Sequence, residues 1–377
     1  MKLPKSKALR ALAALAICAL WLLLGPRLLA GRSAAALYAG QLDSQEPLAQ
    51  RVAESTLALP GLHFYNSGND RFDGQSAIAI YQMTLLGLGQ LLEQHPERKE
   101  AYLPAMRLAA KRLVDPKTHR YAITKYGSHG AVHMAPGTGH AYLGYINFGL
   151  GMLRKFDPET ELAPQHDRIT QRLKQRLDAS KLGMIETYPG ETWPPDVAAV
   201  AGSIGLHGEA TGTDHSAMLS RWAARFEKCA VHETGYLVQR LQTGTCRAVD
   251  APRGSGTAVG AYFVSFAAPE LAAQLYRGVQ SGHRSLLGFG GVREYAPGFS
   301  GNGDVNAGPI VFGVSVGATG FAIGAARAHG DRAAYVSLYR TARLFGAPTS
   351  TEKGTRHAVG GALGDALLLA MLTARQR

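Results

Sequence analysis

Residues 186–200, ETYPGETWPPDVAAV, hold three carboxylates, Glu186, Glu191 and Asp196, beside the flat rings of Tyr188 and Trp193, with three prolines stiffening the backbone between them. Carboxyl groups in unlike surroundings can protonate one oxygen while taking a proton from another, which is what breaking a C–O bond requires. Glu186 and Glu191 are the leading acid–base pair on this reading, with Asp196 or Asp304 as substitutes. The same residues have an ordinary use. Pro194-Pro195-Asp196 is a favourable helix start, because proline is pre-set for the first turn and an acid complements the N-terminal dipole.

Three other stretches are similarly loaded. PGLHFYNSGNDRFDGQ (60–75) brings His63, Tyr65, Asn66, Asp70 and Asp73; residues 115–138 bring Tyr126, His129 and His133, with His140 just beyond; REYAPGFSGNGDVNAG (293–308) brings Arg293, Glu294, Tyr295, Asp304 and Asn306. His140 and Tyr188 are expected to orient substrate or catalyst, Trp193 and Tyr65 to stack on it, and Arg293, Tyr295 and Asn306 to line the binding surface. Each also has a structural reading: Asp304 and Asn306 as cap and turn residues, His140 as a hydrogen-bonded core histidine. His129 and His133 are four apart, but in a Gly-rich segment without a clear third ligand, so no metal site and no cofactor is expected.

Something must carry these stretches to one place. Beyond residue 41 apolar residues recur at helical spacing, predicting helices over 46–58, 76–94, 97–114, 139–156, 163–181, 194–208, 214–228, 255–267, 269–281, 308–328, 331–345 and 356–373. Few strands are expected. Short connections alternate with long ones, and helices entered through long loops recur every 50–60 residues or so, the period of a helical-hairpin repeat. Those helices are weakly charged and rich in small residues (HAYLGYINFGLGML, VAAVAGSIGL), whereas their partners are amphipathic (APQHDRITQRLKQRL, RAAYVSLYRTARL). A helix apolar all round is buried and one with a charged face is at the surface. Six of each make an all-α (α/α)6 toroid, preferred to an open solenoid, with the long loops on one rim.

The domain expected is residues 46–377, after a linker at 31–45. Residues 1–30 open with a basic segment and an apolar run, an export signal or an uncleaved anchor with its basic end in the cytoplasm. The body of the chain would then lie in the periplasm of a Gram-negative source, or be released there on cleavage. Of the three cysteines Cys18 falls in the apolar run, and Cys229 and Cys246 are read as a disulfide in an oxidising compartment. The net charge is +12, but half of that excess lies within residues 1–40, which contain no acid. The rest is dispersed, so no nucleic-acid partner is expected. The expected partners are a glycan or small-molecule substrate and, through the N-terminal helix, a membrane.

GHAYLGYINFGLGML (139–153) and GMIETYPGETWPPDVAAVAGS (183–203) resemble, in order and separation, the linalool dehydratase/isomerase family. The resemblance implies an (α/α)6 barrel in which His140 matches a pocket histidine, and Tyr81, in IAIYQMTLLG, a tyrosine of the preceding inner helix. The family's two loop cysteines have no counterpart here; Glu186 and a residue near Pro195 or Asp196 stand in their place. Carboxylates instead of thiols suit glycosidic-bond cleavage. The expected function is therefore acid–base chemistry on a glycan or glycoconjugate. A lyase acting on a prenyl or other small alcohol and a non-catalytic envelope scaffold are the alternatives.

Overall fold

A computed structural model of the chain describes residues 5–58, 68–126, 139–305, 307–352 and 354–376. The helices are α1 (Lys5–Gly31), α2 (Ala34–Tyr38), α3 (Leu42–Ala58), α4 (Asp70–Gln94), α5 (Lys99–Val114), α6 (Arg120–Tyr126), α7 (Leu143–Phe156), α8 (Ala163–Ala179), α9 (Pro194–Thr211), α10 (Ser216–Ala230), α11 (Gly254–Val264), α12 (Pro269–Gly282), α13 (Val316–Ala328), α14 (Arg332–Gly346) and α15 (Gly361–Thr373). Six of them close a ring: α4 packs on α7, α7 on α9, α9 on α11, α11 on α13, α13 on α15, and α15 returns to α4. α3, α5, α8, α10, α12 and α14 alternate with these along the chain and lie outside them. This is an (α/α)6 toroid.

The sequence makes the two sets different. On α12 the buried residues Leu271, Ala272, Leu275, Tyr276 and Val279 form one stripe, and on α10 Met218, Leu219, Trp222 and Phe226 do the same. Eleven of eleven residues of α11 are buried, as expected of a helix enclosed on all sides. Close approach within the ring needs residues without side chains. A Cβ on Gly205 of α9 would stand 1.9 Å from the Phe266 carbonyl oxygen, and one on Gly144 of α7 would stand 2.7 Å from the Val200 nitrogen.

Short connections join the C-terminal end of each inner helix to the next outer helix, so the long connections gather at the other end, above the inner N-termini. At the closed end Tyr262 of α11 donates a hydrogen bond to Gln90 Oε1 of α4 at 2.9 Å. These helices face each other across the ring, so the bond spans the axis. Phe266 and Phe148 pack edge to face beside it, with centroids 4.8 Å apart.

The strands are few and lie on the rim. β1 (His283–Leu286), β2 (Phe289–Arg293), β3 (Ile310–Val311) and β4 (Val314–Ser315) form an antiparallel sheet in the order β1-β2-β4-β3, and β5 (Pro348–Thr351) pairs with β6 (Gly354–His357). Two expected helix starts move accordingly. The helix expected from 308 begins at Val316, because Val314 and Ser315 pair with β2, and the one expected from 356 begins at Gly361 after β6. Residues 31–45, read as a linker, contain α2 and the start of α3; Ala34 and Leu37 are apolar and bury against the toroid. α1 supplies an apolar stretch long enough to cross a bilayer, almost none of it buried.

Cys229, at the end of α10, is bonded to Cys246 across a separation of 17 residues. Closing a loop of that length removes chain entropy from the unfolded state, so a Cys229→Ala/Cys246→Ala variant is expected to lose about 3 kcal/mol in denaturant melts.

Candidate active site

The segment between α8 and α9 is held at both ends. Ser180 Oγ bonds both the nitrogen and the oxygen of Met184, and Trp222 Nε1 donates to Gly183 O at 3.0 Å. From Thr187 it folds into a tight hairpin: Thr187 N and Glu191 N reach Glu191 O and Tyr188 O, each at 2.8 Å, around Pro189-Gly190. Gly190 sits at φ 79°, which the turn needs and proline at the preceding position favours. Pro194-Pro195-Asp196 then starts α9.

This brings Asp196 back over the hairpin. Tyr145 of α7 donates to Asp196 Oδ1 at 2.5 Å, and Thr187 Oγ1 donates to Oδ2 at 2.8 Å. Solvent still reaches the edge of the residue. Its carboxyl is nevertheless pushed up to about 6, chiefly by loss of hydration, with the Glu191 charge adding to the rise against the hydroxyl bonds and Arg71. Tyr145 is pushed well above the usual phenol range, by burial first and the Asp196 charge second.

Glu191 lies beside this pair in a forked ion pair with Arg71 of α4, at 2.7 and 3.2 Å, and accepts from Trp193 Nε1 at 3.2 Å. The Arg71 guanidinium also covers the Tyr188 ring, 5.0 Å from its centroid. The Tyr188 hydroxyl bonds Tyr121 at 2.8 Å and Gln75 at 3.2 Å, and its ring stacks on Tyr142 with centroids 5.3 Å apart. Burial raises the Tyr188 phenol, so its hydroxyl stays protonated. Three inner-ring helices, α4, α7 and α9, with α6 and the intervening loops, thus surround one carboxyl group pushed up to about 6.

The other expected site residues are distributed differently. Glu186 closes the hairpin, accepting from Gly190 N at 3.0 Å, while its carbonyl holds Ala141 N. His140 is buried and meets Arg176 of outer helix α8 through Nδ1; burial, with the arginine charge, lowers it to about 4, so it is a neutral acceptor. Tyr81 is fully buried with the Arg112 guanidinium 5.7 Å from its ring, on the side facing α5. Asp304 and Glu294 both bind Arg253, at 2.8 Å each. Tyr295 accepts from Gly303 N at 2.9 Å and lies under Arg253, and Arg293 ends β2. Tyr65 and Asn306, like His63, Asn66, His129 and His133, lie outside the described residues.

Arg71, Tyr121, Tyr145 and Thr187 are the site residues that sequence reasoning missed. Thr187 lies within the acidic segment and Tyr145 one turn into α7. Arg71 lies in the singled-out stretch 60–75, between Asp70 and Asp73, and Tyr121 is marked by nothing in the sequence.

No protein-family model matches the sequence, and no curated protein does. Among solved structures the chain is similar to the unsaturated glucuronyl hydrolase of Bacillus sp. GL1, responsible for the degradation of glycosaminoglycan. The two are 13% identical with a TM-score of 0.36, over 79% of this chain and 94% of that one. The closed ring of helix contacts, rather than this likeness, defines the toroid.

Proposed function

We propose that the chain is an extracytoplasmic (α/α)6 enzyme, anchored through α1, that uses carboxylate acid–base chemistry on a glycan or glycoconjugate. Asp196 carries the reading. Its carboxyl belongs to a partly exposed residue at the mouth of the ring, is pushed up to about 6 by loss of hydration, and is flanked by a second carboxylate in an ion pair with Arg71. An acid and an anion side by side are the elements of protonating a leaving oxygen while stabilising the positive charge that develops on the sugar. Tyr145, bonded to the same carboxyl, positions it, and Trp193 offers a stacking face. Glu186 is the further carboxylate of the same loop and a candidate base. Rates measured against pH on a panel of glycans should show an ionisation near pH 6 that Asp196→Asn removes; a profile identical in the variant would overturn the assignment.

Two observations support other readings. Glu191, Glu294 and Asp304 are all engaged by arginines, as a non-catalytic scaffold would have them. The wall behind Asp196 is aromatic, with Tyr145 edge-on to Phe263 at 5.8 Å, which suits the prenyl chain of a lyase substrate. Including allylic alcohols in the same panel separates the lyase from the glycan enzyme, and inertness towards every compound supports the scaffold.

A further inference from the structure

α8, α9 and α10 meet at the face opposite the rim, where four ionisable side chains converge that play no part in the site above. His207 Nε2 lies 2.9 Å from Asp167 Oδ1, and His207 Nδ1 lies 3.0 Å from His215 Nε2. The His166 ring stands 4.9 Å from that of His207, and His166 is only 1% exposed. Neither of its ring nitrogens has a hydrogen-bond partner among the described residues. Two unpaired nitrogens in a buried ring are costly unless something else takes a lone pair. The ligand atoms of His166, Asp167 and His207 all lie within 4.8 Å of one another. Tetrahedral zinc spaces its ligand atoms by about 3.3 Å, so small side-chain rotations close the set.

We propose that His166, Asp167 and His207 bind a divalent transition metal of the zinc type, with a fourth position open to water. The ion takes Asp167 Oδ1 and His207 Nε2, and the single proton of the His207 ring is then carried on Nδ1 and donated to His215 Nε2, which fixes the ring in its ligating tautomer. Arg154 opposes the metal, because its guanidinium contacts Asp167 Oδ1.

Calorimetric titration of the tag-free full chain with Zn²⁺, and the visible spectrum of the Co²⁺ form, test the site. One ion should bind, giving the absorption of four-coordinate Co²⁺. His166→Ala and Asp167→Asn should each weaken Zn²⁺ binding at least tenfold, and Arg154→Gln should tighten it. Circular dichroism identifies any variant that fails to fold, and Asp167, half-exposed, is the substitution least disruptive to folding. Absence of stoichiometric binding, or binding indifferent to these substitutions, overturns the proposal.

A different observation concerns β1 and β2. They are joined by Leu287-Gly288, at φ 52° and 83°. A two-residue turn with both φ positive ordinarily takes Asn-Gly, since a leucine in the left-handed region is strained. Here Leu287 is 54% exposed and Leu286 76%. Arg27 of α1 packs against Gly288, and Arg340 Nη1 donates to its carbonyl at 3.2 Å. Leu28 and Leu29 of α1 and Leu344 and Phe345 at the end of α14 are exposed as well. Single exposed apolar residues need no explanation, but a strained one at the foot of a bilayer-length helix does.

We infer that Leu286 and Leu287 seat in the boundary between headgroups and acyl chains of a bilayer containing anionic lipid, with Arg27, Arg32 and Arg284 against the headgroups. This rests on the anchoring through α1 proposed above. The full chain, with Cys18→Ser, is labelled with an environment-sensitive fluorophore at Leu287→Cys, Leu15→Cys or Arg332→Cys and reconstituted in phosphatidylcholine–phosphatidylglycerol vesicles. Leu287→Cys and Leu15→Cys labels should shift to the blue and be quenched by spin-labelled lipid; the Arg332→Cys label should be quenched by aqueous iodide. A Leu287→Cys label in water overturns the inference whatever α1 does, while a Leu15→Cys label in water defeats the anchor.

Discussion

Asp196→Asn is expected to lower kcat on the native substrate by about 10²–10⁴-fold, the usual contribution of a positioned proton donor. It is also expected to stabilise the fold at neutral pH, an unusual pairing that distinguishes a tuned catalytic group from a structural one. In the unfolded chain Asp196 releases its proton near pH 4; in the fold it retains it to about 6. Folding therefore takes up a proton in that window, and wild-type stability falls as pH rises from 4 to 6. The asparagine variant has no such term. Between pH 4 and pH 7.5 its stability relative to wild type should rise by about 2 kcal/mol, allowing for the solvent that reaches the residue. Denaturant melts at the two pH values measure this. A variant equally destabilised at both would identify Asp196 as a helix cap.

The second large effect is expected at the start of α11, the inner helix next to α9. Arg253 is 2% exposed and Glu294 0%, and the pair is completed by Ser255 and Ser315, which donate to the two Glu294 oxygens at 2.7 and 2.5 Å. These groups tie the start of α11 to β2 and to the first turn of α13. Removing one member of a buried ion pair leaves the other unpaired in a poorly polarisable setting, which costs about 3–5 kcal/mol. Arg253→Met should reach that figure in equilibrium unfolding, and adding Glu294→Gln should recover a large share of it. Additive losses in the double variant would show that the two do not act as a pair.

The toroid was legible because two statistical signals reinforced each other: helical periodicity marked each helix, and charge content marked which ring it joins. Connection lengths then located the rim. The β hairpins were not legible, since GPIVFGVSVG is an apolar run interrupted by glycine that periodicity cannot divide between strand and helix. In the site, the sequence brought Asp196, Glu191, Tyr188 and Trp193 together because they share one loop. It could not show that Arg71 occupies Glu191, or that Tyr145 and Thr187 enclose Asp196, because those partners come from α4, α7 and the folded hairpin. That enclosure is the ground on which Asp196, rather than either glutamate, is proposed as the proton donor. His166 and Asp167 stand 41 and 40 residues from His207, separations no short motif spans.

The bond from Tyr262 to Gln90 has a consequence for traffic. With the axis sealed at that level, everything that enters by the rim must leave by it. An interior strand of a long polymer cannot be threaded through such a vessel. A polymer reaching Asp196 would have to lie across the rim or present an end to it, and leave by the same side.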